Sequence, residues 1–402
     1  MPALVDSVSG LARTAKVRAA LEWFRKERNW INEQHLKVCR IAAPTFLEQK
    51  RAEWMVEQFK SLRWEAKLDR AGNVLAWLPG YRDRPAVAVT AHLDTVLAPR
   101  VPEDIKVSGD GRMLGPGVSD NGAGLAALLA LAAVWSAAPP LEDSALTPVL
   151  VANVGEEGEG NLCGMRYLCR PAAGNRFRAF LVLDGPNTDH ITCQALASRR
   201  FDVSFTGPGG HSWSDHGAGN PVHALSRAIT RFTDDAPVGA PRCSFNFGLL
   251  EGGTSINAIP SEARAKVDLR SENPQRMEQL TALLAASVEG ALEEENARST
   301  GGRVAARLKE IGSRPGGGLR EGSAILEYLL AVDAHLGIRS ALDCASTDAN
   351  IPLSQGLPAV SIGAGGQGGG AHTPNEWFQP DGRDLGLRRV VLALCLLLAG
   401  EA

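Results

Sequence analysis

The sequence predicts an α/β fold: a largely parallel mixed sheet covered by helices, interrupted by an inserted α+β domain whose own sheet is antiparallel. Two observations predict it. Residues 86–90, 148–153, 180–183 and 359–362 are short, mainly apolar runs rich in Val, Ile and Leu without polar alternation, the pattern of strands buried on both faces, and helical segments separate them. By contrast, 200–205 and 263–269 alternate apolar and polar residues, the pattern of strands with one solvated face.

In chain order, the first 60 residues read as helical. Segments 17–28 and 47–62 carry Ala, Leu, Trp, Met and Phe at helical spacing, the second beginning after Pro44-Thr45. Strands follow at 73–78 and 86–90. A Gly-rich turn at 115–117 then leads into an apolar helix at 122–136, and strands return at 148–153 and 180–183. The inserted domain adds helices at 221–232 and 274–298 to its two strands. The buried-strand pattern then resumes, with a helix at 322–335, strand 359–362 and a last helix at 385–398. The expected division is therefore 1–193 and 308–402 for one domain and 194–307 for the insertion.

Composition narrows the function. With 42 Lys+Arg against 45 Asp+Glu the net charge is −3, which argues against an electrostatic nucleic-acid binder. Seven Cys with no Cys-x-x-Cys pair make no disulfide framework and read as reduced thiols of a cytoplasmic protein. The apolar stretches 124–134 and 390–399 fall short of the ~18–20 residues that cross a bilayer and read as buried helices, so no membrane partner is expected.

Acids and imidazoles collect where the predicted strands end, and in open α/β sheets sites form at the C-terminal strand ends. Strand 86–90 runs into Ala91-His92-Leu93-Asp94-Thr95. One His92 nitrogen can bind a metal while Asp94 takes the other N–H or faces the reacting water; taken alone, the two also read as a satisfied surface pair. Asp120, in Pro116-Gly117-Val118-Ser119-Asp120-Asn121-Gly122-Ala123-Gly124, is a helix N-cap or a carboxylate facing the same strand ends. Glu156, Glu157 and Glu159 repel one another unless they are solvated or hold a dication. Adjacent Glu156 and Glu157 can divide the work of ligand and general base on a metal-bound water. Asp184 before Gly185 is a turn residue or a further ligand. His372 follows a Gly-dense loop and, taken alone, reads as an ordinary loop histidine. Two His and three carboxylates suit Zn²⁺, and also Mn²⁺ or Co²⁺, and one bridging carboxylate can hold two metals about 3.5–4 Å apart.

Taken in order, His92-Leu-Asp94-Thr-Val, Asp120-Asn-Gly-Ala-Gly, Glu156-Glu157-Gly, Leu183-Asp184-Gly and His372-Thr-Pro-Asn-Glu resemble the motifs of the di-zinc metallopeptidases of family twenty, which includes peptidase T, aminoacylase and glutamate carboxypeptidase. The run Gly155-Glu-Glu-Gly-Glu-Gly-Asn-Leu-Cys-Gly-Met is most similar to the peptidase T-like branch. The resemblance implies a phosphorylase/hydrolase-like zinc-peptidase domain, an inserted lid and dimerisation domain, and two Zn²⁺ per chain. It implies that His92 and Asp184 bind one zinc and Glu157 and His372 the other. Asp120 would bridge both, next to a peptide bond to Asn121 that is often cis in the family. Asp94 would orient His92, and Glu156 would be the general base.

In the inserted domain the resemblance implies that His211, within Gly207-Pro208-Gly209-Gly210-His211-Ser212, polarises the scissile carbonyl, often in the site of a partner copy. It further implies that Asn257 contacts the substrate backbone and that Arg270 grips a substrate carboxylate, which a guanidinium can bind with two parallel hydrogen bonds. Without the resemblance, His211 reads as a loop histidine, Asn257 as a turn residue and Arg270 as half of a strand salt bridge. The expectation is a metal-dependent exopeptidase of aminopeptidase or tripeptidase type that acts on short peptides as a homodimer. An N-acyl-amino-acid amidohydrolase or carboxypeptidase on the same site stands as the alternative, and an inactive binding protein on this fold as a distant one.

Overall fold

The computed structural model describes residues 2–136, 144–171 and 176–400. The chain forms two compact units: Met1–Ala195 with Gly317–Ala402, and Leu196–Gly316.

In the first unit nine of the described strands form one mixed sheet, and the short strands Lys106–Val107, Met113–Leu114, Gln367–Gly369 and Trp377–Gln379 form a second, antiparallel one. Four central strands are parallel, in the order Thr147–Asn153, Ala86–His92, Phe177–Leu183, Ala359–Ile362. All four are buried along nearly their whole length, which is why their sequences lack polar alternation. Val74–Trp77 extends the sheet antiparallel on one side, followed by Glu65–Leu68. His190–Ala195 extends it antiparallel on the other and pairs in parallel with Ala341–Ala345. Glu65–Leu68 and helix Arg28–Cys39 are not singled out by the sequence pattern. The strand has only Ala66 buried, and the helix buries Gln34 and His35 among its apolar residues, so neither shows a clean period.

Side chains alternate between two cores. Val87, Val89 and Ala91 join the layer that holds helices Gly122–Val134 and Arg383–Ala399, while Ala86 and Ala88 join the opposite layer with Phe180 and Val182. Helix Gly122–Val134 is buried from Gly122 through Ala132 and packs on strand Ala86–His92 and helix Arg28–Cys39. An all-round apolar helix is the expected form of such a buried segment. Among the described residues, no helix is long and apolar enough to cross a membrane.

The second unit is a four-stranded antiparallel sheet, in the order Cys243–Gly252, Glu262–Ser271, Ala197–Thr206, Ala305–Arg314, with helices Pro221–Asp235 and Pro274–Arg298 packed on it. The helices are capped by Asn220 and Asn273, each with Pro at the first helical position. The boundary expected at 307/308 falls inside strand Ala305–Arg314. That strand pairs with Ala197–Thr206 over its whole length, so the unit closes at Gly316.

Candidate metal centre

Parallel strands deliver their C-terminal ends to one edge of a sheet, and four of the predicted residues follow or end such strands. His92 ends strand Ala86–His92, Glu156 and Glu157 follow Thr147–Asn153, and Asp184 follows Phe177–Leu183. Strand Ala359–Ile362 leads through a Gly-dense loop to His372. Three overlapping sets of donor atoms lie within 4.8 Å of one another: His92, Asp120 and Asp184; Asp120, Glu157 and His372; and His92, Glu156 and Glu157. Asp120 belongs to two of them. Its Oδ1 is 2.9 Å from His92 Nε2 and its Oδ2 is 3.0 Å from His372 Nε2.

The reading of Asp120 as a helix cap is corrected by its neighbour. Asn121 is the N-cap, accepting from the Gly124 N–H at 3.1 Å, so the Asp120 carboxylate faces the histidines instead. Asn121 also donates to the Leu183 carbonyl at 2.7 Å, tying this turn to the strand that precedes Asp184. The Asp120–Asn121 peptide is cis. A Cβ on Gly122 would collide with Cys39 Sγ and the Gly117 carbonyl, and one on Gly124 with Asn121 and Ala91, so both glycines permit the close approach.

Asp94 is fully buried. His92 Nδ1 lies 2.9 Å from the Asp94 backbone carbonyl and 3.7 Å from the carboxylate, so the main chain holds the ring. The carboxylate accepts the N–H groups of Glu156 at 3.0 Å and Glu157 at 2.9 Å, and the Thr45 hydroxyl at 2.9 Å. It therefore orients the two glutamates through their backbone.

The electrostatics are those of an acid-rich pocket. Burial opposes charge on His92, but hydrogen bonds to Asp120, Asp184 and Asp94 outweigh it and hold its pKa well above the usual value. Hydrogen bonds to Asp120 and Glu157 raise His372 to about 10. Asp120 is pulled down: burial raises it, yet the two histidines prevail. A field that favours protons on two histidines favours a divalent cation for the same reason, and the N,O donor set fits Zn²⁺.

Several supporting residues escape sequence reasoning. Glu376 accepts three backbone N–H groups from 117–120. Buried Glu48 accepts the Gly155 N–H at 3.1 Å. Buried Asp348 takes a 2.6 Å hydrogen bond from Asn153, which pairs across the sheet with His92, and burial pushes its carboxyl up to about 7. The only signal for Glu376 is its membership of His372-Thr-Pro-Asn-Glu; Glu48 and Asp348 carry none.

In the second unit, Gly210-His211 pairs with Ala258-Ile259, which brings His211 and Asn257 to adjacent segments; Ser212 N–H donates to the Asn257 carbonyl at 2.9 Å. His211 is exposed, and its Nδ1 accepts the N–H groups of Trp213 at 3.2 Å and Ser214 at 3.4 Å. That assigns the ring proton to Nε2, which becomes a hydrogen-bond donor. Arg270 lies elsewhere. It pairs with Ser198 at the end of the sheet where the chain enters the unit, whereas Glu262, near the His211 end, pairs with Thr206. At ~3.3 Å per residue the two ends of this strand are about 26 Å apart. Arg270 also donates to Asp268 at 2.7 Å, the salt bridge that its strand position allows.

Residues 197–296 match the peptidase dimerisation domain (M20_dimer), and residues 73–205 match peptidase family M28. The uncharacterized protein YqjE of Bacillus subtilis (strain 168) is 26% identical over 365 residues, 86% of this chain and 92% of that protein. A succinyl-diaminopimelate desuccinylase of Paracoccus denitrificans is 30% identical over 189 residues, 44% of this chain and 48% of that enzyme. Among solved structures, a tripeptidase from Staphylococcus aureus superposes with a TM-score of 0.74 at 20% identity, covering 92% of this chain and 98% of the other. At that identity the likeness is one of fold.

Proposed function

We propose, from the premise that the chain belongs to the M20 family of metallopeptidases, that it hydrolyses amide bonds in short peptides at a dinuclear centre in its larger unit. One observation carries this reading: His92, Asp120, Glu157, Asp184 and His372 converge with Asp120 common to both sides. His92 and Asp184 would hold one cation, Glu157 and His372 the other, and Asp120 both. Two such cations, Zn²⁺ or alternatively Mn²⁺ or Co²⁺, would supply Lewis acidity toward the scissile carbonyl and make water a stronger acid.

Glu156 is the proposed general base. Its buried carboxylate belongs to the same cluster, and Asp94 fixes its backbone. It takes the proton of the attacking water and passes it to the leaving amine. His211 would donate its Nε2–H to the developing oxyanion, with Asn257 beside it on the substrate backbone and Arg270 on a substrate carboxylate. The distance between Arg270 and the His211 end of one strand favours a homodimer in which His211 and Asn257 serve the partner copy's site. Seven free cysteines suit a reducing, cytoplasmic setting.

The peptide reading draws on the likeness to the S. aureus tripeptidase. The Paracoccus desuccinylase supports a second reading, hydrolysis of an N-acyl amino acid. The Zn²⁺-loaded protein, given a tripeptide and its N-acetylated and amidated forms, separates them. Release of the N-terminal residue, lost on N-acetylation, is expected. Equal cleavage of the N-acetylated form contradicts an aminopeptidase; release of acetate from that form favours the amidohydrolase, and loss confined to the amidated form favours a carboxypeptidase.

A further inference from the structure

The loop that carries His372 also grips the turn that carries Asp120. Four residues after the imidazole, the Glu376 carboxylate is buried, and its Oε2 accepts the N–H of Gly117 at 2.7 Å. Its Oε1 accepts the N–H groups of Ser119 at 2.7 Å and Asp120 at 2.8 Å. The Glu376 carbonyl accepts the Gly115 N–H at 3.0 Å, and the next residue, Trp377, pairs with Leu114. The turn is thus held along 115–120 by the chain just beyond His372.

That chain is itself braced. Both the N–H and the hydroxyl of Thr373 donate to the Gly370 carbonyl, at 3.1 and 2.7 Å, and the Asn375 N–H donates to the Thr373 hydroxyl at 3.2 Å. His372 and Asp120 therefore cannot shift independently. A carboxylate suits this arrangement, because its two acceptor oxygens meet three N–H donors. A glutamine of the same length would aim an amide N–H at a backbone N–H, and an aspartate would be one methylene short.

We propose that Glu376 is a positioning residue that sets the separation of Asp120 and His372 and thereby couples the two cation positions that share Asp120; the proposal rests on the dinuclear reading above. The test titrates metal-free wild type, Glu376→Gln and Glu376→Asp with Co²⁺, followed by calorimetry and visible absorption, with circular dichroism of each metal-free protein. Wild type is expected to take two Co²⁺. In Glu376→Gln the second should bind at least tenfold more weakly with an altered visible spectrum, the first should change less, and Glu376→Asp should lie between. Wild-type affinities and spectrum in a folded Glu376→Gln overturn the proposal. If that variant does not fold, Glu376→Asp decides by the same criterion, and loss of fold in both makes Glu376 a folding residue and also overturns it. A wild type that takes fewer than two Co²⁺ refutes the dinuclear reading itself, separately from the comparison of variants.

Discussion

The two histidines of the proposed centre stand in opposite surroundings. His92 is 2% exposed at the end of a buried strand, its second nitrogen held by the Asp94 carbonyl. His372 has half of its side chain exposed, at a left-handed backbone position (φ 64°) on a Gly-dense loop. The first belongs to the sheet and inherits its rigidity. The second keeps its place through hydrogen bonds within its own loop and from that loop to the Asp120 turn. One half of the centre is therefore built into the fold and the other is added to it, with Asp120 shared between them.

Substitutions that strike the shared residue, the fixed half and the added half should separate accordingly. Asp120→Ala should have the largest effect, with loss of both cations on dialysis and turnover at background; retention of two tightly bound ions in elemental analysis would refute the sharing. Glu156→Gln should keep about two cations per chain while turnover falls about 10²–10⁴-fold, because a base and not a ligand is removed. Asp94→Asn should cost about 10–100-fold in activity, the usual range for residues that orient a metal site from behind, with the metal content largely kept. His372→Ala should lose the cation it shares with Glu157 and retain that held by His92 and Asp184, a difference visible as one cation per chain.

The pH dependence probes the added half most gently. In the metal-free protein His372 titrates at about 10, so at pH 7 it is protonated and must release that proton to bind a cation. Cation affinity should therefore rise with pH towards 10 and fall as pH drops, by up to about tenfold per unit for each proton displaced. Calorimetry in two buffers of different ionisation enthalpy counts the protons; a count of zero at pH 7 contradicts the assignment.

What could be read from the sequence follows the same division. The parallel strands are legible because burial on both faces leaves an apolar run, and the residues at their ends stand out as acids and imidazoles beside such runs. For Asp120 the residues alone leave a helix cap and a site carboxylate open, and its bridging place and cis bond to Asn121 are implied only by the family resemblance. Glu376 is different: it acts on Gly117, Ser119 and Asp120 some 256–259 positions away, and no local pattern encodes such a partnership. Asp348, which meets Asn153 across 195 positions, is hidden for the same reason. The end of the inserted unit is missed because Ala305–Arg314 alternates weakly, with Glu310 and Gly312 flanking an irregularity in its pairing.

The sharing of Asp120 by two cations is decided by anomalous X-ray diffraction from crystals of the Zn²⁺-loaded protein, collected above and below the zinc absorption edge. Two anomalous peaks per chain are expected at the C-terminal ends of the parallel strands, one beside His92 and Asp184, one beside Glu157 and His372, with Asp120 reaching both. A single peak, or two that do not share Asp120, would contradict that sharing.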